Sequence, residues 1–395
     1  MLLPQRLIVT VLVVWHIFLR GRLKRCFEKY LNCVKSLLHF VLTIIALNWE
    51  KDPKLKQHPE FEYGTREDIF PFLGSNTTPD FSSLNLEFFQ HYDHVMSAMH
   101  DREIVNHLMI YVWNKMVNWP ELGSAEDNRY FDYIIKRYQA FPNIIWDISK
   151  EALFYKNTTK NYIADRVDRA RELDSFNRLV TVHDYGFCAQ HPHKVDFIST
   201  QDWKHTIYSK MLEVRSKFPT HPIVNIEHGG YEYSPIRVFP GAYENAEVAL
   251  RRNYMSLFSG VYNTYYWQGT SWNVVIHNPF EQDESFTKPK FHYFAIMKQL
   301  MDKYPFSEFT PNPNQNSSGY NLTDHKTGTV LLYIPKENYS IALGFLTKNG
   351  DKYRYQWLNT LTGEIKEKGI IKDQFSFYQS PWREQADTIL IATKI

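Results

Sequence analysis

Short apolar runs alternate with amphipathic stretches from the first residues to about residue 300, and this alternation constrains the fold more than any other property of the chain. Strands are expected near residues 7–14, 40–47, 106–112, 143–148, 178–183, 195–199, 222–227 and 259–266. Helices are expected near 22–36, 86–103, 126–140, 160–175, 203–217, 242–257 and 287–303. Strands separated by helices predict a parallel sheet, because parallel neighbours need a crossover long enough to hold a helix. Eight strands in this order predict an α/β fold of the (β/α)8 TIM-barrel type over residues 1–304. Too little chain separates 178–183 from 195–199 for an ordinary helix. An irregular loop is expected there, carrying His183, Asp184, Cys188, His191 and His193.

Residues 50–84 are polar and punctuated by Pro and Gly, with no helical period. A long segment of this kind after a strand is expected on the functional face. Composition shifts after Tyr304. A turn-rich stretch at 311–319 precedes apolar runs at 329–334, 339–345, 353–358, 374–378 and 388–392. Their spacing predicts a small antiparallel β-sandwich over residues 305–395.

With 45 basic and 43 acidic residues, charge gives no reason to expect a nucleic-acid partner. The 26 Tyr, 27 Phe and 10 Trp are mostly core residues, but those near strand ends also suit a cleft that stacks sugar rings. Three cysteines, Cys26, Cys33 and Cys188, make no disulfide framework. The apolar run 7–19 is shorter than the roughly 20 residues of a spanning helix. Arg6 precedes it, but most of its positive charge follows, at Arg20, Arg22, Lys24 and Arg25, whereas a signal peptide carries its charge in front. A first strand is therefore the preferred reading, with a signal or anchor segment, or a misplaced start, as lesser ones. That run aside, nothing suggests contact with a membrane.

Two of the expected strands lead into glutamates. Residues 141–151 read FPNIIWDISKE and end on Glu151, while 222–232 read PIVNIEHGGYE with Glu227 at the strand end. In α/β barrels, groups at the C-terminal ends of strands carry the chemistry. The fourth and seventh strands face each other across such a mouth. Opposed carboxylates can there divide the labour of glycoside hydrolysis, one donating a proton to the leaving oxygen and the other attacking the anomeric carbon or activating water. Asp147 is a competing acid on the same strand, read as a buried hydrogen-bonding residue. No phosphate-cradling loop, Gly-x-Ser-x-Gly elbow or dinucleotide fingerprint occurs, and no cofactor is expected.

The run YQAFPNIIWDISKE at 138–151 resembles the fourth-strand motif of apiosidase-like glycoside hydrolases, in which Arg-Tyr-x-x-Tyr/Phe-Pro-Asn-x-x-Trp leads to a catalytic acid five residues after the Trp. Arg137 and Tyr138 open the pattern and Glu151 occupies the acid position. The stretch 223–232 is similar to the family's second catalytic segment, with Glu227 as the carboxylate. Further resemblance lies at 88–104 and 356–365. It implies a barrel with a C-terminal sandwich, a carbohydrate substrate such as an apiose-bearing pectin side chain, and a secreted or periplasmic setting. The chain departs from the family's pattern where Leu12 and Val13 replace an Asp-Thr pair before Trp15, and where Lys150 precedes the acid. A cation beside Glu151 favours its ionised form and disfavours a general-acid role unless burial opposes it.

Substrate-binding candidates are Trp113 and Asn114 after the third strand, His183 and His193 on the histidine loop, Tyr231 after Glu227, and Trp267 after the eighth strand. Two rival readings remain. A degenerate barrel that binds carbohydrate without turnover is favoured by Leu12 and Lys150. A metal-dependent hydrolase built on the histidine loop would lack any His-Glu-x-x-His or paired-cysteine spacing to support it.

Overall fold

The computed structural model describes residues 11–14, 39–43, 70–113, 117–155, 158–202, 204–227, 245–264, 290–315, 318–338, 340–371 and 375–395. The expected helix near 22–36, Cys26, Cys33, Asn114, Tyr231 and Trp267 lie outside them.

Eight parallel strands appear in the expected order. They are β1 (Val11–Val14), β2 (His39–Thr43), β5 (Val105–Val112), β6 (Ile144–Lys150), β7 (Val180–His183), β8 (Ile198–Gln201), β9 (Ile223–Glu227) and β10 (Tyr262–Asn263). A hairpin of β3 (Phe72–Gly74) and β4 (Pro79–Leu84) occupies the polar segment where no helix was expected. Hydrogen bonding joins β1-β2-β5-β6-β7 into one sheet and β10-β9-β8 into another. The seam between them is bridged: Asp196 N donates to Val180 O at 2.9 Å, and the Thr181 and Ser199 hydroxyls lie 3.0 Å apart.

The crossover helices are α1 (Leu86–His100), α2 (Ala125–Tyr138), α3 (Lys160–Leu173), α4 (Tyr185–Gln190), α5 (Ile207–Lys217), α6 (Ala246–Phe258) and α7 (Phe291–Lys303). Their starts are written in side chains. Asn85, Ser124, Thr159, Asp184 and Asn245 each accept a hydrogen bond from the backbone N–H three residues on. The six-residue α4 corrects the expected irregular loop: Asp184 caps one short turn, and a 3-10 turn at Pro192–Lys194 completes the crossover.

Alternate strand residues face the helices. Leu108 and Ile110, Trp146 and Ile148, and Val180 and Val182 join α1–α3 side chains in the main core. The intervening residues point to the other side, where the His107 and Phe197 rings lie 5.9 Å apart although their strands are three positions apart. Among the described residues no helix is long and apolar enough to cross a membrane.

After Lys303 the chain becomes antiparallel. Strands β11 (Phe309–Pro311), β12 (Asn321–Asp324), β13 (Val330–Ile334), β15 (Tyr353–Asn359), β16 (Ile365–Ile370) and β18 (Thr388–Lys394) form a six-stranded sheet. A second sheet pairs β14 (Ser340–Ala342) with β17 (Phe377–Gln379). The run expected as one strand over 339–345 instead ends at Ala342 and gives way to a four-residue helix, α8 (Gly344–Thr347). The continuous apolar sequence of β13 reflects cover on both faces. Leu331 and Tyr333 pack into the main core, while Val330, Leu332 and Ile334 pack with Ile341, Trp357 and Trp382. Tyr333 stacks on Tyr254 of α6 at 5.2 Å, and Arg251 of the same helix is paired with Asp387 at 2.7 Å.

Asp127 ties α2 and α3 to the parallel sheet. Its carboxylate accepts from the Tyr111 hydroxyl at 2.6 Å, the Tyr162 hydroxyl at 2.9 Å, Gly123 N at 2.8 Å and the buried Arg166 guanidinium. Replacing Asp127 by Ala strands a buried guanidinium and two buried hydroxyls. Denaturant melts of Asp127→Ala should show a loss of about 3–5 kcal/mol, the cost of breaking a buried ion pair on one side.

Candidate active site

The strands β6 and β9 end on Lys150 and Glu227, and these two side chains meet. The Lys150 ammonium donates to Glu227 Oε2, and its Nζ lies 3.6 Å from Glu151 Oε1. Lys150 and Glu227 are almost wholly buried, and Glu151 keeps 16 % of its side chain exposed. In a flat sheet three strand spacings of about 4.8 Å would hold β6 and β9 about 14 Å apart. Direct contact between their side chains joins the two sheets at this end.

Simple alternation would not aim these residues at each other. Ile148 and Ile223 lie on the helix-facing side, so a regular strand would carry Lys150 and Glu227 there as well. Both strands break register just before the site, between Asp147 and Lys150 on β6 and between Thr200 and Gln201 opposite β9. Such an irregularity re-aims the residue that follows it. Glu151 then turns sharply, with φ at 56°, in the left-handed region that costs a residue other than Gly, Asn or Asp about 1 kcal/mol or more. Its N–H is held by His183 O at 3.2 Å.

Behind the glutamates lies a buried polar layer. His107 Nε2 is 2.9 Å from Asp147 Oδ2, and Asp147 Oδ1 accepts from the His183 backbone N–H at 2.8 Å. His183 Nε2 stands 3.6 Å from Glu227 Oε2, and the Gln201 side chain lies against the same ring. Burial alone would drive Lys150 toward its neutral form. The charges of Glu151 and Glu227 outweigh that penalty and raise its pKa above the ordinary lysine value, so it remains an ammonium. His183 is pushed well below the usual histidine range, by burial first and then by the charges of Lys150 and His107.

Of the residues singled out from sequence, Glu151, Glu227 and His183 come together. Trp113 caps the end of β5 in an aromatic cluster, its ring 5.9 Å from Tyr111 and 6.4 Å from Trp119. His193 does not join them. It lies exposed on the turn that enters β8, at the end of the sheet opposite the glutamates, beside the contact of Lys194 O with Arg171. The reason is α4, which carries the chain from the mouth back to the start of the next strand within six residues. The histidine loop is thereby divided: Asp184 is committed to capping α4, and His191 packs against Phe187 at 4.9 Å. Among the described residues no three His, Cys, Asp or Glu side chains are grouped to hold a metal ion. Cys188 is buried, and burial pushes its thiol up to about 12.

Sequence reasoning had not brought His107 into the site, and had read Lys150 only as a neighbour of the acid. The available signal was a titratable residue inside an otherwise apolar strand, His107 on β5 and Asp147 on β6. Buried groups of that kind need each other as partners.

The depressed His183 makes stability pH-dependent. An unfolded histidine takes up its proton near pH 6.5, whereas the folded one resists until lower pH. The unfolded state thus binds more protons below about 6.5, and stability falls with pH by up to about 1.4 kcal/mol per unit until the folded value is reached. Chemical denaturation at pH 7.0, 6.0 and 5.0 should give a shallower decline for His183→Gln than for the unsubstituted chain.

Comparison with solved structures finds a family 5 glycoside hydrolase from Bacteroides vulgatus at TM-score 0.68 and 15% identity, covering 98% of this chain and 89% of that one. A second structure, named only as a glycoside hydrolase, matches at TM-score 0.69 and 15% identity over 98% and 92% of the two chains. A family 27 β-L-arabinopyranosidase from Geobacillus stearothermophilus, solved with arabinose, matches at TM-score 0.54 and 11% identity over 98% and 96%. At these identities the likeness speaks to fold. Comparison with the curated proteins finds no match. The family model "Apiosidase-like, catalytic domain" matches residues 13–308, which contain β6, β9 and all three charged residues at their ends. The chain belongs to the apiosidase-like family and is a glycoside hydrolase.

Proposed function

We propose that the two parallel sheets close into a (β/α)8 barrel and that Glu227 and Glu151 cleave a glycosidic bond at its mouth with net retention, in a pentose side chain of a plant or microbial polysaccharide such as an apiosyl-bearing pectin. The observation that carries this reading is the Lys150 ammonium bonded to one glutamate and 3.6 Å from the other. Both carboxylates contact one group, so their nearest oxygens lie within about 6–7 Å of each other. That bound is compatible with the roughly 5–5.5 Å of a retaining pair, which is the outcome proposed. The direct ion pair keeps Glu227 a carboxylate, which suits attack on the anomeric carbon. Glu151 is the more weakly paired of the two, with Lys150 Nζ 3.6 Å away, so proton donation to the leaving oxygen falls to it.

In the first step a Glu227 oxygen bonds to the anomeric carbon as the glycosidic C–O bond breaks, and the Glu151 proton passes to the departing oxygen. In the second, Glu151 takes a proton from water, the water oxygen bonds to the anomeric carbon, and Glu227 leaves as a carboxylate. One glutamate is anionic in each resting state: Glu227 before the first step, Glu151 after it. Lys150 lies within reach of both, so the site keeps a compensated charge throughout. This gives the residue a role in turnover and argues against the non-catalytic reading that its presence suggested. His183, whose ring stands 3.6 Å from Glu227 Oε2, is suited to a hydroxyl of the sugar held there.

Release of reducing sugar from an apiosyl-bearing pectic oligosaccharide should fall by about 10³-fold or more in Glu227→Gln, with binding of that oligosaccharide retained. Turnover unaffected by the substitution would remove Glu227 from the chemistry. In Lys150→Met, loss of the ammonium lets the nucleophile take a proton at higher pH. The acidic limb of the kcat/KM profile should therefore move upward in pH, while an unmoved limb would deny the residue its electrostatic role.

A further inference from the structure

Immediately beyond Glu151 the chain makes a single turn that ends on two exposed aromatic rings. Tyr155 N donates to Glu151 O at 3.1 Å, closing the turn. Phe154 is 77% exposed and Tyr155 47% exposed, and their rings meet edge to face at 5.1 Å. Large aromatics exposed to this degree are costly to leave in water, and unlike the similarly exposed Phe375 and Phe377 of the antiparallel part these two follow directly on Glu151. The turn is also anchored. The Asp184 carboxylate that caps α4 accepts a backbone hydrogen bond from Leu153, and Glu151 N is fastened to the end of β7. The rings therefore stand at a fixed place on the rim, joined through four residues to the proton donor. Tyr155 lies close enough to Glu151, Lys150 and Glu227 to feel the charge of all three.

Resting on the assignment of Glu151 as the proton donor, we infer that Phe154 and Tyr155 form a subsite for the leaving-group side of the substrate, stacking on a sugar ring of the oligosaccharide from which the terminal residue is cut. The acid delivers its proton to the oxygen that departs, so the surface that continues along the chain from Glu151 borders the departing saccharide. A sugar presents a face of C–H groups that packs on an aromatic ring, and two rings set edge to face offer one such face and one wall. The Tyr155 hydroxyl adds a polar contact at the rim. The occupant is thus a saccharide of at least two units, and the subsite selects for an extended leaving group over a simple alcohol.

The test compares an apiosyl-bearing pectic oligosaccharide with methyl apioside. In Phe154→Ala/Tyr155→Ala the ratio of kcat/KM for the first to that for the second should fall about tenfold or more, chiefly through a higher KM for the oligosaccharide, and Tyr155→Phe alone should restore most of it in the presence of Phe154. Both side chains are exposed, so their truncation leaves the core intact. Calorimetric titration of the oligosaccharide into Glu151→Gln, with and without the two ring deletions, gives a readout that needs no turnover. Weaker binding on deleting the rings supports the subsite even should hydrolysis prove to use other residues. Equal binding by both, binding by neither, or a kcat/KM ratio unchanged within twofold overturns it.

Discussion

A buried ammonium survives only where anions compensate the loss of water around it, and Lys150 obtains that compensation from two glutamates on different parts of the fold. The requirement is mutual. Two carboxylates this close, in a site this dry, would repel each other without a cation between them. The geometry of the mouth follows from setting one ammonium against both carboxyl groups at once. It draws on register breaks just before Lys150 and Glu227 and on a left-handed backbone at Glu151. The His107–Asp147 pair beneath serves the same end. It holds the His183 backbone in place by one carboxylate oxygen while the other oxygen binds the imidazole.

The antiparallel part supports this arrangement from outside. Its six-stranded sheet shares one face with the main core through Leu331, Tyr333 and Ile389, so it stabilises the helical layer instead of hanging from a linker. The Asp387 carboxylate accepts from Tyr333, from Lys336 N at 2.8 Å and from Arg251. It thereby couples the last strand of the chain to α6, whose crossover connects β9 to β10.

Most of the secondary structure was legible because its causes are local. The eight strands are short apolar runs, and the crossover helices begin at side chains able to cap them, as Asn85, Ser124 and Asn245 do. The two glutamates were legible because they follow strands in the right order. What misled was chain distance. His193 is only ten residues from His183, and the two looked like parts of one loop. A short helix carries the chain across the full depth of the sheet between them and leaves them at opposite ends. The strand at 339–345 failed for a related reason: its apolar run continues past the point where a partner strand exists, and the surplus coils into a short helix.

The order of strands and helices, the capping positions and the glutamates at two strand ends were set by residues acting on their immediate neighbours, so the linear chain contained them. The contact of Lys150 with both glutamates, the pairing of His107 with Asp147 and the separation of His183 from His193 were decided only by tertiary structure. Each depends on side chains from different strands meeting in one water-poor interior, and the register irregularities that aim them arise from pairing between strands far apart in sequence.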